Sequence, residues 1–526
     1  MVRHLRRLAL WATPAAFIGL LFFWPLVSIA ALGLKPGWLQ VLASEQFQEA
    51  IWFTLWQALV STLLCVLIGM PIAFVLYKRR FFGSRLLRTL LVIPFVLPAI
   101  VVAIALAEFR EILAGSAILV ILIAHVFLNI ALVVRVVGPA WAAIDDETEE
   151  AAELDGASGL KKFIFVTSAQ LRPAIVSSAA LIFLFCVTSF ATVLSLGGGQ
   201  VQSIETAIYF ALTQRLDLQT ASALAVVQTL ITVAAFALSR RFSNLAFVVE
   251  LTSVETTEKK IGKRDVAILL FSLSTIFVLF VIPIASLFVR AFTQSGQLSL
   301  EAFGYLSGYG ARDLLDITVF EAAGNSLRNA LVAATIAVVI GVTIAWLLTQ
   351  TKSRWPDLIF ALPLGVSSVV LGFGYLITFG GEPLALRQSW LVVPLVQALI
   401  TTPLVVRITY SALVSLGKTT REAASNAGAD TWQIWRFIEV PNIRPAIATA
   451  LGFALLSSIG EFGSSVLLAY SDQATLPVVL MRLISRPGEQ NYAMAMATAV
   501  LIVVMVVALV SASELVRTRR RRSADA

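Results

Sequence analysis

The sequence predicts an all-α polytopic membrane protein with about twelve transmembrane helices, arranged as two parallel six-helix repeats. Three observations predict this class. Hydrophobic residues make up 59% of the 526 residues, and charged residues only 13%. Apolar runs of about twenty residues, enough to cross a bilayer as a helix, recur along the whole chain. Features of the first half return 272 positions later, in the same membrane orientation, so the repeat is parallel.

The first half contains six apolar runs. Arg3, Arg6 and Arg7 precede the first run, and the basic segment 78–80 follows the second. Basic residues are enriched in cytoplasmic segments, so these positions fix the predicted orientation. Prolines inside the third run are expected to kink that helix. The predicted first to sixth spans are 8–32, 51–77, 86–107, 117–143, 174–196 and 221–238.

A polar linker, residues 250–264, precedes six further apolar runs. The chain closes on the basic segment 519–522, so we expect both termini in the cytoplasm. The predicted domains are therefore a first transmembrane half (1–249), a cytoplasmic linker (250–264) and a second transmembrane half (265–526). The predicted seventh to twelfth spans are 266–289, 327–348, 358–379, 390–414, 446–470 and 492–510.

Two polar loops interrupt the apolar pattern at equivalent positions. We name them the first EAA loop (145–167) and the second EAA loop (422–441). Each is expected to form a short helix opened by an acidic residue, a turn at a glycine, and a second amphipathic segment. Trp432, Trp435 and Phe437 give the last segment a shape suited to a partner's groove. The repeated residues are Glu150, Ala151, Ala152 and Gly156, then Glu422, Ala423, Ala424 and Gly428.

This pattern resembles the coupling loop of permeases in binding-protein-dependent ABC importers. The second EAA loop matches throughout, through Ile438, Val440 and Pro441. The first departs at its end, where Ser168 and Ala169 replace the hydrophobic-proline pair. The resemblance implies that the repeated residues and Pro441 dock ATP-binding subunits. It also implies a bacterial inner membrane location and alternating access by rocking of one repeat against the other.

No G-x-x-x-x-G-K-[ST] sequence occurs in the chain, so we do not expect it to bind or hydrolyse ATP. It is therefore not expected to be an enzyme or to hold a cofactor or metal, and ATP and Mg²⁺ would act in the partner. The resemblance implies a dimer of ATP-binding subunits and a periplasmic substrate-binding protein as partners. Nucleic acid is not expected, because the basic residues lie mostly at the ends of apolar runs.

Small and hydroxylated residues in the fifth and eleventh spans suggest a translocation path. Glu461 is an acid within an apolar run, and such a charge is expected to face a cavity, where it could attract a cation. The competing interpretation is an acid near the outer interface or one paired with a nearby polar group. The candidate path residues are Ser189, Phe190, Thr192, Glu461, Phe462 and Ser464.

A narrower resemblance concerns the substrate. The run from Ser189 to Gly199, the segment 205–209 and the segment 125–129 are similar to the permease of the thiamine or thiamine pyrophosphate importer of Gram-negative bacteria. The ferric-iron importer permease is the alternative, but its acid-Phe-Gly signature occurs only at Glu461, in the second half. An ion-coupled secondary transporter is a more distant alternative, since it needs no docking loops.

One histidine and two cysteines fall in apolar runs. His125 has two interpretations, a proton-relay group or a hydrogen bond to a neighbouring helix, and we favour the second. Cys65 and Cys186 are expected to be small core residues rather than a disulfide or metal pair.

Overall fold

The structure is a computed structural model, and it describes residues 2–157, 159–242, 259–294, 296–351, 355–381 and 389–524. These residues are mostly helical, as predicted. Within this part of the chain, ten helices are long and apolar enough to cross a membrane, or eleven if one bent pair forms a single span. The ten are Leu10–Gly33, Glu45–Lys78, Ala117–Ala142, Phe163–Val187, Leu218–Arg240, Val266–Ala291, Val319–Thr349, Val392–Ser415, Thr431–Ile459 and Glu489–Ala512.

The predicted count of twelve spans is therefore not confirmed, and the third and ninth spans account for the difference. The third is divided into helices Ser84–Leu90, Val92–Val96 and Ala99–Ala107. The second piece ends at Leu97, whose backbone is extended because the ring of Pro98 disfavours helical backbone at the residue before it. The ninth is the bent pair, Trp355–Gly365 and Ser368–Thr378, with a 95° angle between them.

The fifth and eleventh spans begin and end earlier than predicted. Each helix starts inside an EAA loop, as Phe163–Val187 and Thr431–Ile459. Each then breaks and is followed by a short helix, Phe190–Leu196 or Ser465–Leu468. In each half, a second short helix follows that was not predicted from the sequence. These helices are Ile204–Thr213 and Leu476–Ile484.

The other elements are short. Four π-helical turns lie within longer helices, at Gly19–Phe23, Phe163–Thr167, Phe277–Val281 and Trp435–Glu439. The remaining α-helices are Trp38–Ala43, Phe109–Ile112, Asp146–Leu154, Leu160–Lys162, Glu301–Gly304 and Lys418–Asn426. The 3-10 turns are Lys263–Asp265, Tyr305–Ser307, Leu362–Gly365 and Ser471–Gln473. Strand Arg79–Arg80 pairs in parallel with Lys259–Lys260, and strand Thr293–Gln294 pairs antiparallel with Gln297–Leu298.

The described end of the linker is attached to the second span. Besides the parallel strand pair, Asp265 accepts hydrogen bonds from Arg79 Nε at 2.7 Å and Nη2 at 3.1 Å. Burial alone would raise the pKa of Asp265, but the hydrogen bonds from Arg79 and the Gly262 amide outweigh it and lower that pKa. The rest of the predicted linker, up to residue 258, lies outside the described residues.

The repeat seen in the sequence has a structural counterpart at one helix crossing in each half. A Cβ atom on Gly69 would lie 2.8 Å from Val133 Cβ, and one on Gly341 would lie 2.7 Å from Val405 Cγ1. These contacts join the second span to the fourth and the eighth to the tenth. Gly341 lies 272 positions after Gly69, and Val405 lies 272 positions after Val133. Glycine is therefore repeated because the two helices touch at that level.

We expect Gly341→Ala to destabilise the protein by about 1–3 kcal/mol, because the added methyl group overlaps Val405. Gly324→Ala is the matched control. It lies in the same helix, Val319–Thr349, with nothing within 4 Å of the new Cβ. Thermal unfolding of the two purified variants in detergent measures the difference. Equal melting temperatures would contradict the close crossing.

The short helices that follow the breaks are anchored in the same way in both halves. The Ile204 amide donates to Thr54 Oγ1 at 3.0 Å, and the Leu476 amide donates to Ser326 Oγ at 2.8 Å. All four residues are buried. The sequence separation is again 272. Each anchor supplies a partner to an amide that would otherwise be unpaired at a helix start.

Packing contacts divide the chain into two compact units, which cut the sequence differently from the predicted halves. One unit comprises Leu39–Asp217 and Val227–Arg290, and the other comprises Met1–Trp38, Leu218–Val226 and Ala291–Ala526. The first span thus packs against the eighth and ninth spans, and the seventh packs against the second. The predicted domain division was drawn on the sequence repeat, not on packing, and it stays a prediction.

Candidate functional site

The first EAA loop is a capped helix followed by a tight turn. Helix Asp146–Leu154 starts after Asp145, whose Oδ1 accepts a hydrogen bond from the Glu147 amide at 3.1 Å. The helix ends at Gly156, which has a φ of +86°. The Gly156 amide donates to Glu153 O at 3.0 Å, and the Ala157 amide to Ala152 O at 2.9 Å. This is the Schellman arrangement, which favours glycine at the left-handed position.

The second EAA loop repeats that turn bond for bond. Helix Lys418–Asn426 ends at Gly428, which has a φ of +87°. The Gly428 amide donates to Ser425 O at 3.0 Å, and the Ala429 amide to Ala424 O at 3.1 Å. Every donor and acceptor lies 272 positions after its counterpart in the first loop. The prediction of a short helix ended by glycine is therefore confirmed in both halves.

One part of the predicted loop structure is wrong. Glu150 and Glu422 were expected to open their helices, but each is the fifth of nine helical residues. Asp145 is the residue that caps the first helix, and the second helix begins directly after Gly417. The acidic side chains therefore lie one turn inside the helix, away from its positive end.

The shapes of the two loops agree even where their sequences differ. In the first loop, Ser168 and Ala169 replace the hydrophobic-proline pair, but the helix still continues as Ser168–Val187 after a π-helical turn. In the second, Pro441 follows the π-helical turn Trp435–Glu439 inside the helix Thr431–Ile459. The missing proline thus leaves the form of the first loop unchanged.

Both loops present exposed residues suited to a protein contact. Glu150, Ala151, Glu422 and Ala423 are exposed, while the alanine after each pair is partly covered. Large apolar side chains beside them are exposed as well: Leu154, Phe165, Trp432 and Phe437 are between 62% and 90% exposed. A shallow groove of about 440 Å³ on the second loop is lined by Trp432, Trp435, Arg436, Phe437, Val440, Pro441 and Arg444. Exposed apolar surface of this kind marks interaction sites.

Aromatic contacts connect each loop to the membrane helices of its own unit. In the first half, the rings of Phe74 and Trp141 lie 5.2 Å apart, and those of Trp141 and Phe163 lie 5.9 Å apart. In the second half, the ring centres of Trp346 and Trp435 lie 5.5 Å apart. The contacts reach the segment after the loop's glycine from the fourth span in the first half and from the eighth span in the second half.

The eleventh span breaks at Glu461, and the carboxylate of that residue holds the break together. Its Oε1 accepts from the Ser464 amide at 2.9 Å. Its Oε2 accepts from Ser464 Oγ at 2.6 Å, Ser465 Oγ at 2.9 Å and the Ser465 amide at 3.2 Å. This arrangement caps the short helix Ser465–Leu468. The geometry agrees with the competing interpretation, an acid paired with nearby polar groups.

A chain of hydrogen bonds extends this cap to the tenth span. Gln397 Nε2 donates to Ser465 Oγ at 3.3 Å, and Ser458 Oγ donates to Gln397 Oε1 at 2.5 Å. The side chains of Gln397, Ser458 and Ser465 are buried. Ser458 and Ser465, which lie on either side of the break, are therefore connected through Gln397 of the tenth span. Phe462 and Ser464 are also buried, at 3% and 0% exposure.

The fifth span breaks at the equivalent place with different chemistry. Ser189 takes the position of Glu461, and its Oγ donates to Cys186 O at 2.8 Å. Gln57 Nε2 donates to the same carbonyl at 2.8 Å. Phe190 and Thr192 are buried within this unit, and the Phe190 ring lies 5.5 Å from that of Tyr209. The role of all six candidate path residues in translocation stays a prediction.

His125 occupies the position equivalent to Gln397 and shares a hydrogen bond of 2.9 Å with Ser61 Oγ on the second span. The prediction of a hydrogen bond between neighbouring helices is therefore confirmed. The two cysteines are free and buried, as predicted. Among the described residues, no group of three or more His, Cys, Asp or Glu side chains is placed to hold a metal ion.

Comparison with known proteins gives this arrangement its family. Residues 65–247 and 266–521 each match the profile of the binding-protein-dependent transport system inner membrane component. The two matches cover most of the chain, and each includes one EAA loop. The chain belongs to this family. It is a permease of the fused type, in which one polypeptide contains two copies of the family's unit, and a multi-pass protein of the inner membrane.

Individual relatives of the permease have named transport systems. It is 28% identical over 484 residues to the thiamine transport system permease protein ThiP of Brucella abortus, covering 86% of each chain. It is 26% identical over 486 residues to ThiP of Escherichia coli, covering 88% of each. The sulfate transport system permease protein CysW of Escherichia coli is 30% identical over 196 residues, which are 35% of this chain and 64% of that protein. The similarity to ThiP thus extends over both halves, whereas that to CysW covers about a third of the chain.

Proposed function

We propose that this permease is the membrane subunit of an ATP-driven importer that carries thiamine or a thiamine derivative. The similarity to ThiP proteins over 86% of the chain is the observation that carries the substrate assignment. Ser189 and Phe190 belong to the segment that resembles the thiamine-type permease, and the first half lacks the acid-Phe-Gly signature of the ferric-iron type. A substrate-binding protein in the periplasm would deliver the substrate.

The energy source is proposed to be a pair of ATP-binding subunits, one for each EAA loop. Each loop offers a nine-residue helix with exposed alanines, which allow a partner surface to approach closely. The Schellman turn at Gly156 or Gly428 fixes the direction of the segment that follows. That segment continues directly into the fifth or eleventh span. A displacement of the loop would therefore move a membrane helix.

This function requires both loops and both chain ends on the cytoplasmic side. The basic segments 78–80 and 519–522 support that orientation. Hydrolysis of ATP would take place in the partner subunits, because the chain contains no phosphate-binding loop.

Uptake of labelled thiamine into vesicles tests the proposal. The vesicles contain the permease and its ATP-binding subunits, and the binding protein is added outside. We expect uptake only with ATP inside, and competition by unlabelled thiamine but not by ferric iron. Competition by ferric iron alone would favour the iron importer. Uptake driven by an ion gradient without the ATP-binding subunits would contradict the proposal in favour of a secondary transporter.

A further inference from the structure

The second EAA loop is attached to its membrane helices by a buried ion pair. Glu439 is only 2% exposed. Its Oε1 accepts from Arg421 Nε at 2.5 Å, and its Oε2 accepts from Trp346 Nε1 at 3.0 Å. Arg421 Nη2 also donates to the Leu413 carbonyl at 2.9 Å. We name these four residues the Glu439 junction.

The junction joins four elements. Arg421 lies in helix Lys418–Asn426 of the loop, and Glu439 lies in the π-helical turn that leads into the eleventh span. Trp346 is on the eighth span, and the Leu413 carbonyl is near the end of the tenth. Because one carboxylate and one guanidinium contact all four, none of these elements can shift alone without breaking a charge-assisted hydrogen bond.

The first EAA loop cannot form the same ion pair. The positions 272 residues earlier are Glu149 for Arg421, Thr167 for Glu439 and Phe74 for Trp346. An acid and a hydroxyl group replace the base and the acid, so these two positions cannot form the ion pair of Arg421 and Glu439. The first loop has the aromatic contacts of Phe74, Trp141 and Phe163. At its start, the buried Lys78 of the second span donates from Nζ to Ile144 O at 2.9 Å.

A buried carboxylate is costly to keep, because taking its charge out of water outweighs much of the attraction to its partner. Removing one partner leaves the other charge buried and uncompensated, which is the more damaging change. Glu439 lies between the family motif residues Ile438 and Val440, and is not itself part of the motif. The desolvation cost of Glu439 is understandable if its ion pair with Arg421 fixes the geometry of the loop rather than adding to the stability of the protein.

We propose that Arg421 and Glu439 are positioning residues that make the second EAA loop one rigid piece with the eighth, tenth and eleventh spans. The two loops would then transmit the motion of the ATP-binding subunits through different attachments, and transmission through the second would depend on the Arg421–Glu439 pair. This inference rests on the proposed function, and it adds that the two docking sites of the fused chain are mechanically different.

The ratio of thiamine molecules taken up to ATP molecules hydrolysed tests the inference, because loss of folding alone would lower both. We expect Glu439→Gln to lower this ratio by about fivefold, since the amide replaces the charge that holds Arg421. Trp346→Phe keeps the ion pair and introduces the residue of the first half, and we expect a decrease of about twofold. Thr409→Val is the control, because Thr409 is a buried position of the tenth span outside both loops whose hydroxyl donates to Val405 O of its own helix at 2.7 Å, and it should leave the ratio unchanged.

Each outcome bears on the inference. Equal ratios for the wild-type, Glu439→Gln and Trp346→Phe complexes would overturn it, as would equal decreases in Glu439→Gln and Thr409→Val. If Glu439→Gln fails to accumulate in the membrane, Trp346→Phe decides. A wild-type complex that takes up no thiamine with ATP would contradict the proposed function instead, so the two failures are distinguishable.

Discussion

Replacing Gly428 with proline is expected to abolish ATP-dependent uptake while the protein still inserts in the membrane. Gly428 has a φ of +87°, and its amide donates to Ser425 O. Proline fixes φ near −65° and has no amide hydrogen, so the Schellman turn cannot form. The segment after the turn would then leave in another direction. We expect uptake to fall by at least about a hundredfold, as for other misplacements of a working group.

Thr431→Pro is the matched control for this experiment. Thr431 is three residues away, at the first position of helix Thr431–Ile434, and Asp430 before it is extended. Both features tolerate proline. We therefore expect Thr431→Pro to retain most of the uptake. Similar uptake by both variants, at equal amounts in the membrane, would contradict the role of the turn.

Replacing Glu461 with alanine is expected to lower the free energy of unfolding by about 2–4 kcal/mol. The carboxylate accepts four hydrogen bonds at the break of the eleventh span. Without it, two backbone amides at a helix start lose their acceptor in a poorly hydrated region, where water cannot easily replace it. Glu461→Gln keeps one acceptor oxygen and should lose less. Thermal unfolding in detergent measures both changes.

Ser189→Ala is the equivalent change in the first half and the control for Glu461→Ala. The Ser189 hydroxyl makes one hydrogen bond, to Cys186 O, so we expect a loss of about 1 kcal/mol or less. Equal losses for the two alanine variants would contradict the capping role of Glu461. A Glu461→Gln variant with normal stability but greatly reduced thiamine uptake would support the predicted cation-attracting role instead.

Sequence reasoning predicted the repeated glycines well, because each of them has the same contact or turn in both halves. Gly69 and Gly341 meet Val133 and Val405, and Gly428 ends its helix as Gly156 does. A constant separation of 272 residues was enough to find these pairs. Matching of positions is informative where steric or backbone constraints allow only one residue type.

The breaks in the membrane helices could not be predicted in the same way. Hydropathy is averaged over about twenty residues, so the interruption at Ser189 and the cap at Glu461 lie hidden inside apolar runs. The short helices Ile204–Thr213 and Leu476–Ile484 are too short to be recognised as spans. The ninth span was predicted as one helix for the same reason, although its two parts meet at 95°.

The Glu439 junction was missed for a different reason. Its charged residues occur in one half only, so the comparison of halves that revealed the EAA loops gave no signal for it. Glu439 and Arg421 are also 18 residues apart, beyond the spacing at which side chains on one helix can meet. Only the turn at Gly428 brings them together.

Cross-linking from the two EAA loops to the ATP-binding subunits tests the central claim most directly. Cys65 and Cys186 are both 0% exposed, so cysteines introduced as Ala151→Cys and Ala423→Cys would be the reactive ones. Leu216→Cys, at a position that is 79% exposed next to the predicted outer end of the sixth span, is the control. We predict that both loop cysteines cross-link to an ATP-binding subunit and that the control does not. Cross-links from Leu216→Cys, or none from either loop, would contradict the account.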